Sequence, residues 1–348
     1  MPKTPKDSNW KRLKEGRLNW EIFRKRSQII QATRSFFEAE NFLEIDAPLL
    51  TPFPTLDSNI LSVPVTYQTG IENRALPLYL HSSPEHAMKK LLAAGGERLI
   101  SIDRVFRDGE QTLQHNGEFT MVEWYRKNAN YLDIMEDTEK LICHLAHSVF
   151  KSDEISHQGR SYSLTDPWPR RSVRELFQTF ADVDLNGVPD PVTLKAACLA
   201  HAIPTQDDDT CETLYFRLFL TLIEPQLGLN GPEFVINYPA SMGLMAQRQA
   251  NDPQWVERAE LYIGGMELAN GYSELTDPAE QLSRFEADAS IKYAQTGKRY
   301  PIDHELIEAL SLGLPRCAGM ALGLDRLIML FLDKTDIQDV LLFPIHQY

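Results

Sequence analysis

Between Glu118 and Tyr125 the sequence alternates with a period of two, so that Phe119, Met121, Glu123 and Tyr125 fall on one face of a strand. A strand that should bury an apolar face instead presents a carboxylate among aromatics. The pattern recurs between Glu260 and Leu275, where Glu260, Glu267, Asn270, Tyr272 and Glu274 gather. The odd spacing of seven from Glu260 to Glu267 sets them on opposite faces of a regular strand. A tight turn or bulge at Gly264-Gly265 restores a common face, and Asn270-Gly271 is expected to do the same for Glu267 and Glu274. Carboxylates brought to one face of a sheet repel unless cations join them, which suits Mg²⁺, a substrate ammonium, or both.

The other elements frame that sheet. From Trp20 to Glu40 the apolar residues Ile22, Phe23, Ile29, Ile30, Phe36 and Phe37 recur near helical spacing, with Asn41 as the stop. Ser83-Pro84 starts a second helix, hydroxyl cap followed by proline, and Gly95-Gly96 ends it. Glu97 to Arg107 reads as a strand joined to Glu118–Tyr125 by a polar loop. The stretch 128–232 reads as a mainly helical insertion, and residues 1–19 as a basic tail. Cys317 to Gly323 is a small-residue strand that runs into an apolar helix from Leu324.

Composition excludes several function classes. The apolar run Leu327 to Leu332 falls far short of the roughly 18 to 20 residues that span a bilayer. The basic start is followed by no apolar segment of a secretory signal, so a cytoplasmic protein without a membrane partner is expected. Four scattered cysteines form no C-x-x-C pair and suggest neither a zinc site nor a disulfide framework. A net charge of -14 discourages broad docking onto a polyanion, and no stable tRNA binding is expected. The run Arg24-Lys25-Arg26 with the basic start is either a solvated helix face or a local basic patch.

Four segments in order carry a resemblance that extends from Trp20 over nearly the whole chain. Phe37 to Pro48 resembles motif 1 of class II aminoacyl-tRNA synthetases, the dimer-forming helix and strand. Arg104 to Arg107 with His115 to Tyr125 resembles motif 2 in its lysyl form, and Gly319 to Leu327 resembles motif 3. Glu267 to Leu275 resembles the lysyl-type substrate strand. The resemblance implies an α+β fold, an antiparallel sheet flanked by helices, and a homodimer that uses ATP and Mg²⁺. It implies catalytic roles for Arg107 at the α-phosphate and Arg326 near the γ-phosphate, with Phe119 stacked on adenine. Asp108, Gly109, Glu110, His115, Asn116, Leu268 and Gly323 complete the implied nucleotide site, and Glu260 and Glu267 the implied metal site. The implied amino-acid pocket is Ser83, Pro84, Glu85, Glu123, Tyr125, Asn270, Glu274 and Ala321.

The order Arg107-Asp108-Gly109-Glu110 departs from the family's Arg-x-Glu. Either the loop bulges to return Glu110 to the adenine amino group, or Asp108 or the Gly109 backbone substitutes. Only residues 1–19 precede the first core helix, too few for a five-stranded anticodon-binding barrel. A lysyl-like core of this kind resembles the elongation factor P β-lysine ligases. Lysyl-tRNA synthetases usually carry Ala and Gly at the positions of Ser83 and Ala321. That resemblance implies transfer of (R)-β-lysine to a lysine of elongation factor P. The alternatives are a truncated synthetase that activates α-lysine for tRNA or a small acceptor, and a non-catalytic module; such modules typically lose the motif arginines, and both are present here.

Overall fold

The computed structural model describes residues 7–70, 74–165, 167–186, 190–243 and 245–345. Helix α1 (Trp20–Ala39) begins where the Asn19 side chain accepts the Glu21 N–H at 2.9 Å, and it ends as Asn41 turns left-handed at φ 60°. A short strand β1 (Leu43–Glu44) follows. Helix α2 (Glu85–Ala93) has Pro84 as its N-cap residue, one place later than the sequence suggests, and the Ser83 hydroxyl just before it accepts the Glu85 N–H at 3.0 Å. Strands β2 (Arg98–Phe106) and β3 (Glu118–Lys127) form the expected hairpin, and α3 (Tyr131–Leu145) starts with a capping box of Asn130 and Asp133.

The remaining sheet strands are β4 (Arg170–Ser172), β5 (Glu233–Pro239), β6 (Trp255–Ile263), β7 (Met266–Ser273) and β8 (Cys317–Gly323). Helices α4 (Pro278–Thr296) and α5 (His304–Gly313) precede β8, and α6 (Leu324–Phe331) follows it directly. The eight strands lie in the order β1-β2-β3-β8-β7-β6-β5-β4. Only the edge pairs β1–β2 and β4–β5 are parallel, so the centre is antiparallel. One face carries Val122, Trp124, Met320 and Leu322, buried against a core that includes residues of α1, α3 and α6; Trp124 packs 5.2 Å from Phe37. The opposite face is the floor of a cleft.

Three expectations change. Within residues 1–19, Asn9–Lys14 form a short helix rather than a tail: the Asn9 amide donates to the carbonyls of Gln338 and Leu341, both at 2.6 Å, and Arg12 pairs with Asp339 at 2.8 Å. Within the basic run, Arg26 is no surface residue. It forms a buried ion pair with Asp325 of α6 and donates to Thr120 Oγ1 of β3 at 2.9 Å, while Asp325 accepts the Thr120 N–H at 2.7 Å. The stretch 128–232 contains helices, but α3 packs under the sheet, Glu154–His157 pairs with Arg160–Ser163 as a hairpin, and β4 is the sheet's edge. It is woven into the main layer rather than set aside from it.

Candidate active site

The cleft over the sheet has a volume of about 700 Å³. Every residue expected of the site lines it except Pro84, Asp108, Gly109 and Glu274. Strand register brings them together. Ser101, Glu123, Ala321, Asn270 and Glu260 pair across five strands as one row, and Leu99, Tyr125, Gly319, Tyr272 and Arg258 form the next. The small-residue strand is a steric requirement of this arrangement: a Cβ on Gly319 would sit 2.2 Å from the Tyr125 ring. Ala321 keeps the floor low between Glu123 and Asn270.

The spacing problem among the carboxylates is solved in two places. Gly264 and Gly265, at φ 63° and 76°, turn β6 into β7 so that Glu267 pairs with Tyr262 and shares the face of Glu260. A bulge then makes Leu268 the extra residue between Glu267 and Ala269, which carries Glu267, Asn270, Tyr272 and Glu274 to the same side. The expected second correction at Asn270-Gly271 does not occur; β7 pairs regularly with β8 there. Gly271 is required for close approach, since a Cβ would meet the Gly319 carbonyl at 2.4 Å.

One end of the cleft is acidic. Glu123 accepts from the Ser83 hydroxyl at 2.8 Å and from the Tyr125 hydroxyl at 2.7 Å. Burial, reinforced by Glu85, raises its carboxyl to about 7 despite those bonds. Glu85 accepts from the Tyr272 hydroxyl at 2.5 Å and from Lys89 at 2.7 Å. Burial would raise Glu85 as well, but Lys89 outweighs it and holds it below the usual carboxylate range. Glu274 is fully buried behind this wall in an ion pair with Lys89, and burial pushes its carboxyl up.

The other end is cationic. Arg107 lies 5.2 Å from the Phe119 ring and 3.5 Å from Glu110, and its buried Nε has no acceptor among the described residues. Arg326 donates to the Glu267 carbonyl at 2.9 Å and meets His115, whose pKa is lowered by burial and by the Arg326 charge. Asn116 braces the loop by donating to the Glu118 carbonyl at 2.6 Å. In that loop Asp108 turns away, its N–H bonded to the Leu61 carbonyl at 2.8 Å, and Gly109 adopts φ 75°. This left-handed residue re-aims Glu110 into the cleft.

Glu260 and Glu267 fit a divalent cation by their chemistry. Burial, with Glu260 next, raises the Glu267 carboxyl, while its side chain keeps 37% of its surface open to the cleft and its nearest cation, Arg326, stays 3.8 Å away. Glu260 is more tightly held, accepting from Arg258 at 2.6 Å and from the Tyr238 and Tyr262 hydroxyls at 2.5 and 2.9 Å. Two carboxylates with room for water and substrate oxygens match what Mg²⁺ takes. Arg258, Tyr238 and Lys89 were not anticipated from the sequence. Lys89 had a usable signal, four residues after Glu85 on a helix; Arg258 shares the strand parity of Glu260.

Residues 7–347 match the model of the family described as tRNA synthetases class II (D, K and N). The chain belongs to that family. It is 35% identical over 326 residues to the lysine–tRNA ligase of Carboxydothermus hydrogenoformans, covering 93% of this chain and 65% of that protein. With the lysine–tRNA ligase of Psychrobacter cryohalolentis the identity is 36% over 326 residues, covering 93% and 62%. The lysine–tRNA ligase of Prochlorococcus marinus (strain MIT 9303) is 34% identical over 337 residues, covering 93% and 63%. The chain thus spans somewhat less than two thirds of the length of these curated relatives. No helix among the described residues is long and apolar enough to cross a membrane.

Proposed function

We propose that this chain is an ATP-dependent ligase that activates (R)-β-lysine as its adenylate and transfers it to the ε-amino group of a lysine of elongation factor P. The observation that carries the reading is the polarity of one cleft: carboxylates of Glu85 and Glu123 at one end, with Glu274 buried behind them, and guanidinium groups of Arg107 and Arg326 at the other. A ligand with ammonium groups at one end and phosphates at the other has that polarity, and an aminoacyl adenylate is such a ligand.

The chemistry follows from the charges. An amino-acid carboxylate oxygen bonds to the α-phosphorus and pyrophosphate leaves, so two anions must be brought together, and positioned cations and donors supply most of what is needed. Arg107, with its unpartnered Nε, binds the α-phosphate; Arg326 binds the outer phosphates; Glu110 receives the adenine amino group and Phe119 stacks on the ring. Mg²⁺ held at Glu267 and Glu260 would neutralise phosphate charge. Asn270 orients the amino acid's carboxylate. In the second step an acceptor amine attacks the carbonyl carbon and AMP leaves, its proton passing to a carboxylate or to the departing phosphate. Homodimerisation and a cytoplasmic setting belong to the same reading.

Preference for a β-amino acid rests on Ser83, whose hydroxyl is fixed on Glu123, and on Ala321, whose methyl lies in the row between Glu123 and Asn270. Moving the ammonium one carbon from the carboxylate shifts where its acceptor must lie. The names of the relatives favour α-lysine and tRNA as the rival. Amino-acid-dependent pyrophosphate exchange into ATP decides between them. The expected result is a kcat/KM for β-lysine well above that for α-lysine, and a loss of at least ~100-fold in Arg326→Ala. Equal or better exchange with α-lysine would favour the rival, and no exchange with either would end the adenylate reading.

A further inference from the structure

Lys89 is left without a role by the account above. It lies one turn along α2 from Glu85 and is 1% exposed. Its ammonium donates to Glu85 at 2.7 Å, pairs with Glu274, and sits 5.5 Å from the centre of the Tyr272 ring and 3.7 Å from Met245 Sδ. Every element around it contributes a polar or ionisable group: Glu85 and His86 from α2, Glu123 and Tyr125 from β3, Tyr272 from β7 with Glu274 just beyond, and Cys317 from β8. Three carboxylates converge on this end of the cleft, and Lys89 is the resident cation within ion-pair distance of two of them.

We infer that Lys89 is a positioning residue that sets the charge of the amino-acid pocket: it neutralises one of three carboxylates, ties Glu85 to Glu274, and leaves the pocket matched to a ligand with two ammonium groups. The inference rests on the proposed reading of this end of the cleft as the amino-acid site. Three buried carboxylates without an internal cation take up protons instead of staying ionised. A protonated Glu85 or Glu274 then donates where it should accept, and an incoming ammonium loses its partner. With Lys89 in place the remaining charge awaits the ligand. Burial opposes the charge on Lys89, yet Glu274 and Glu85 outweigh it and keep the ammonium protonated. Lys89 in turn holds Glu85 below the usual carboxylate range and works against the burial that still raises Glu274, while Glu123, bonded to hydroxyls alone, is raised by burial and by Glu85.

Two measurements on the full chain test this. The first needs no substrate: carboxyl-carbon NMR of glutamate-labelled protein follows the titration of the buried carboxylates. In Lys89→Met, a linear apolar replacement, Glu85 and Glu274 should titrate at least one pH unit higher than in the native chain. Lys89→Arg, which keeps the charge, should titrate like the native chain and also covers the case in which Lys89→Met does not fold. The second is the pH dependence of KM for the amino acid in pyrophosphate exchange, whose optimum should move upward by at least one pH unit in Lys89→Met and stay put in Lys89→Arg. Unchanged carboxyl titration in Lys89→Met, or a shift of equal size in Lys89→Arg, overturns the inference. A shifted titration in Lys89→Met, found together with a native chain that exchanges pyrophosphate with no amino acid, keeps the charge-setting role and removes the amino-acid reading instead.

Discussion

Asp303 shows how much one side chain can hold in this protein. Its carboxylate caps α5 by accepting the Leu306 N–H at 3.1 Å, and it also binds His86 at 3.1 Å and Lys90 at 2.9 Å, which pins α5 to α2 beside the acidic end of the cleft. Burial works against its ionisation, but the His86 and Lys90 contacts prevail and bring it down to about 2. A carboxyl lowered by folding, from an unfolded value near ~4, stabilises fully above that value and loses its contribution as the pH falls through about 2. Asp303→Asn should therefore destabilise the chain by about 2 kcal/mol at pH 7. Denaturant titration at pH 7 and near pH 3 would check it: the gap from the native protein should narrow at the lower pH, and a pH-independent gap would refute the assignment. Other single residues were only partly legible. Alternation placed Glu123, Tyr125 and Glu260 on a sheet face, because period-two patterns survive into the fold. Arg26 fell in a run open to reading as a solvated helix face because its partner Asp325 lies far away in sequence, whereas Lys89 and Arg258 were not singled out although Glu85 and Glu260 stand only a few residues from them.

Helices and strands with a strong period were legible for the same local reasons that make them form. The left-handed stop at Asn41 and the start near Ser83-Pro84 are encoded within a few residues, although Pro84 and not Ser83 is the N-cap residue. The bulge at Leu268 was displaced by a few positions in the reading because parity demands an extra residue somewhere between Glu267 and Glu274 but does not say where. The helix Asn9–Lys14 was missed because Asn9 gains its partners from Gln338 and Leu341, more than three hundred residues away. Trp20, the first residue of α1, is 56% exposed, and Leu43, in β1 after the helix ends, is 65% exposed, with Leu49 and Leu50 of the following segment also exposed. Apolar side chains gathered along a helix and its following strand suit a twofold interface. Light scattering at micromolar concentration should give twice the chain mass, and Leu43→Glu should lower it toward one chain. A native chain of single mass would remove the homodimer proposal.

The whole molecule places a two-ended cleft on one face of an antiparallel sheet and keeps its apolar layer on the other. The sheet architecture and the polar floor were readable from the sequence; the interleaving of 128–232 with the main layer was not, since β4 joins β5 across more than sixty residues. Across the whole chain the formal charge is -14. A long polyanion gains little from such a surface, and the affinity it does gain from local Lys and Arg contacts falls steeply with salt. A protein that presents one lysine needs only a local docking patch to raise the effective concentration of its amine. The proposed transfer is tested by giving purified enzyme, ATP, Mg²⁺ and labelled β-lysine to elongation factor P and to total tRNA in separate reactions. The account predicts label on a lysine of elongation factor P and none on tRNA; label on tRNA with none on the protein would contradict it.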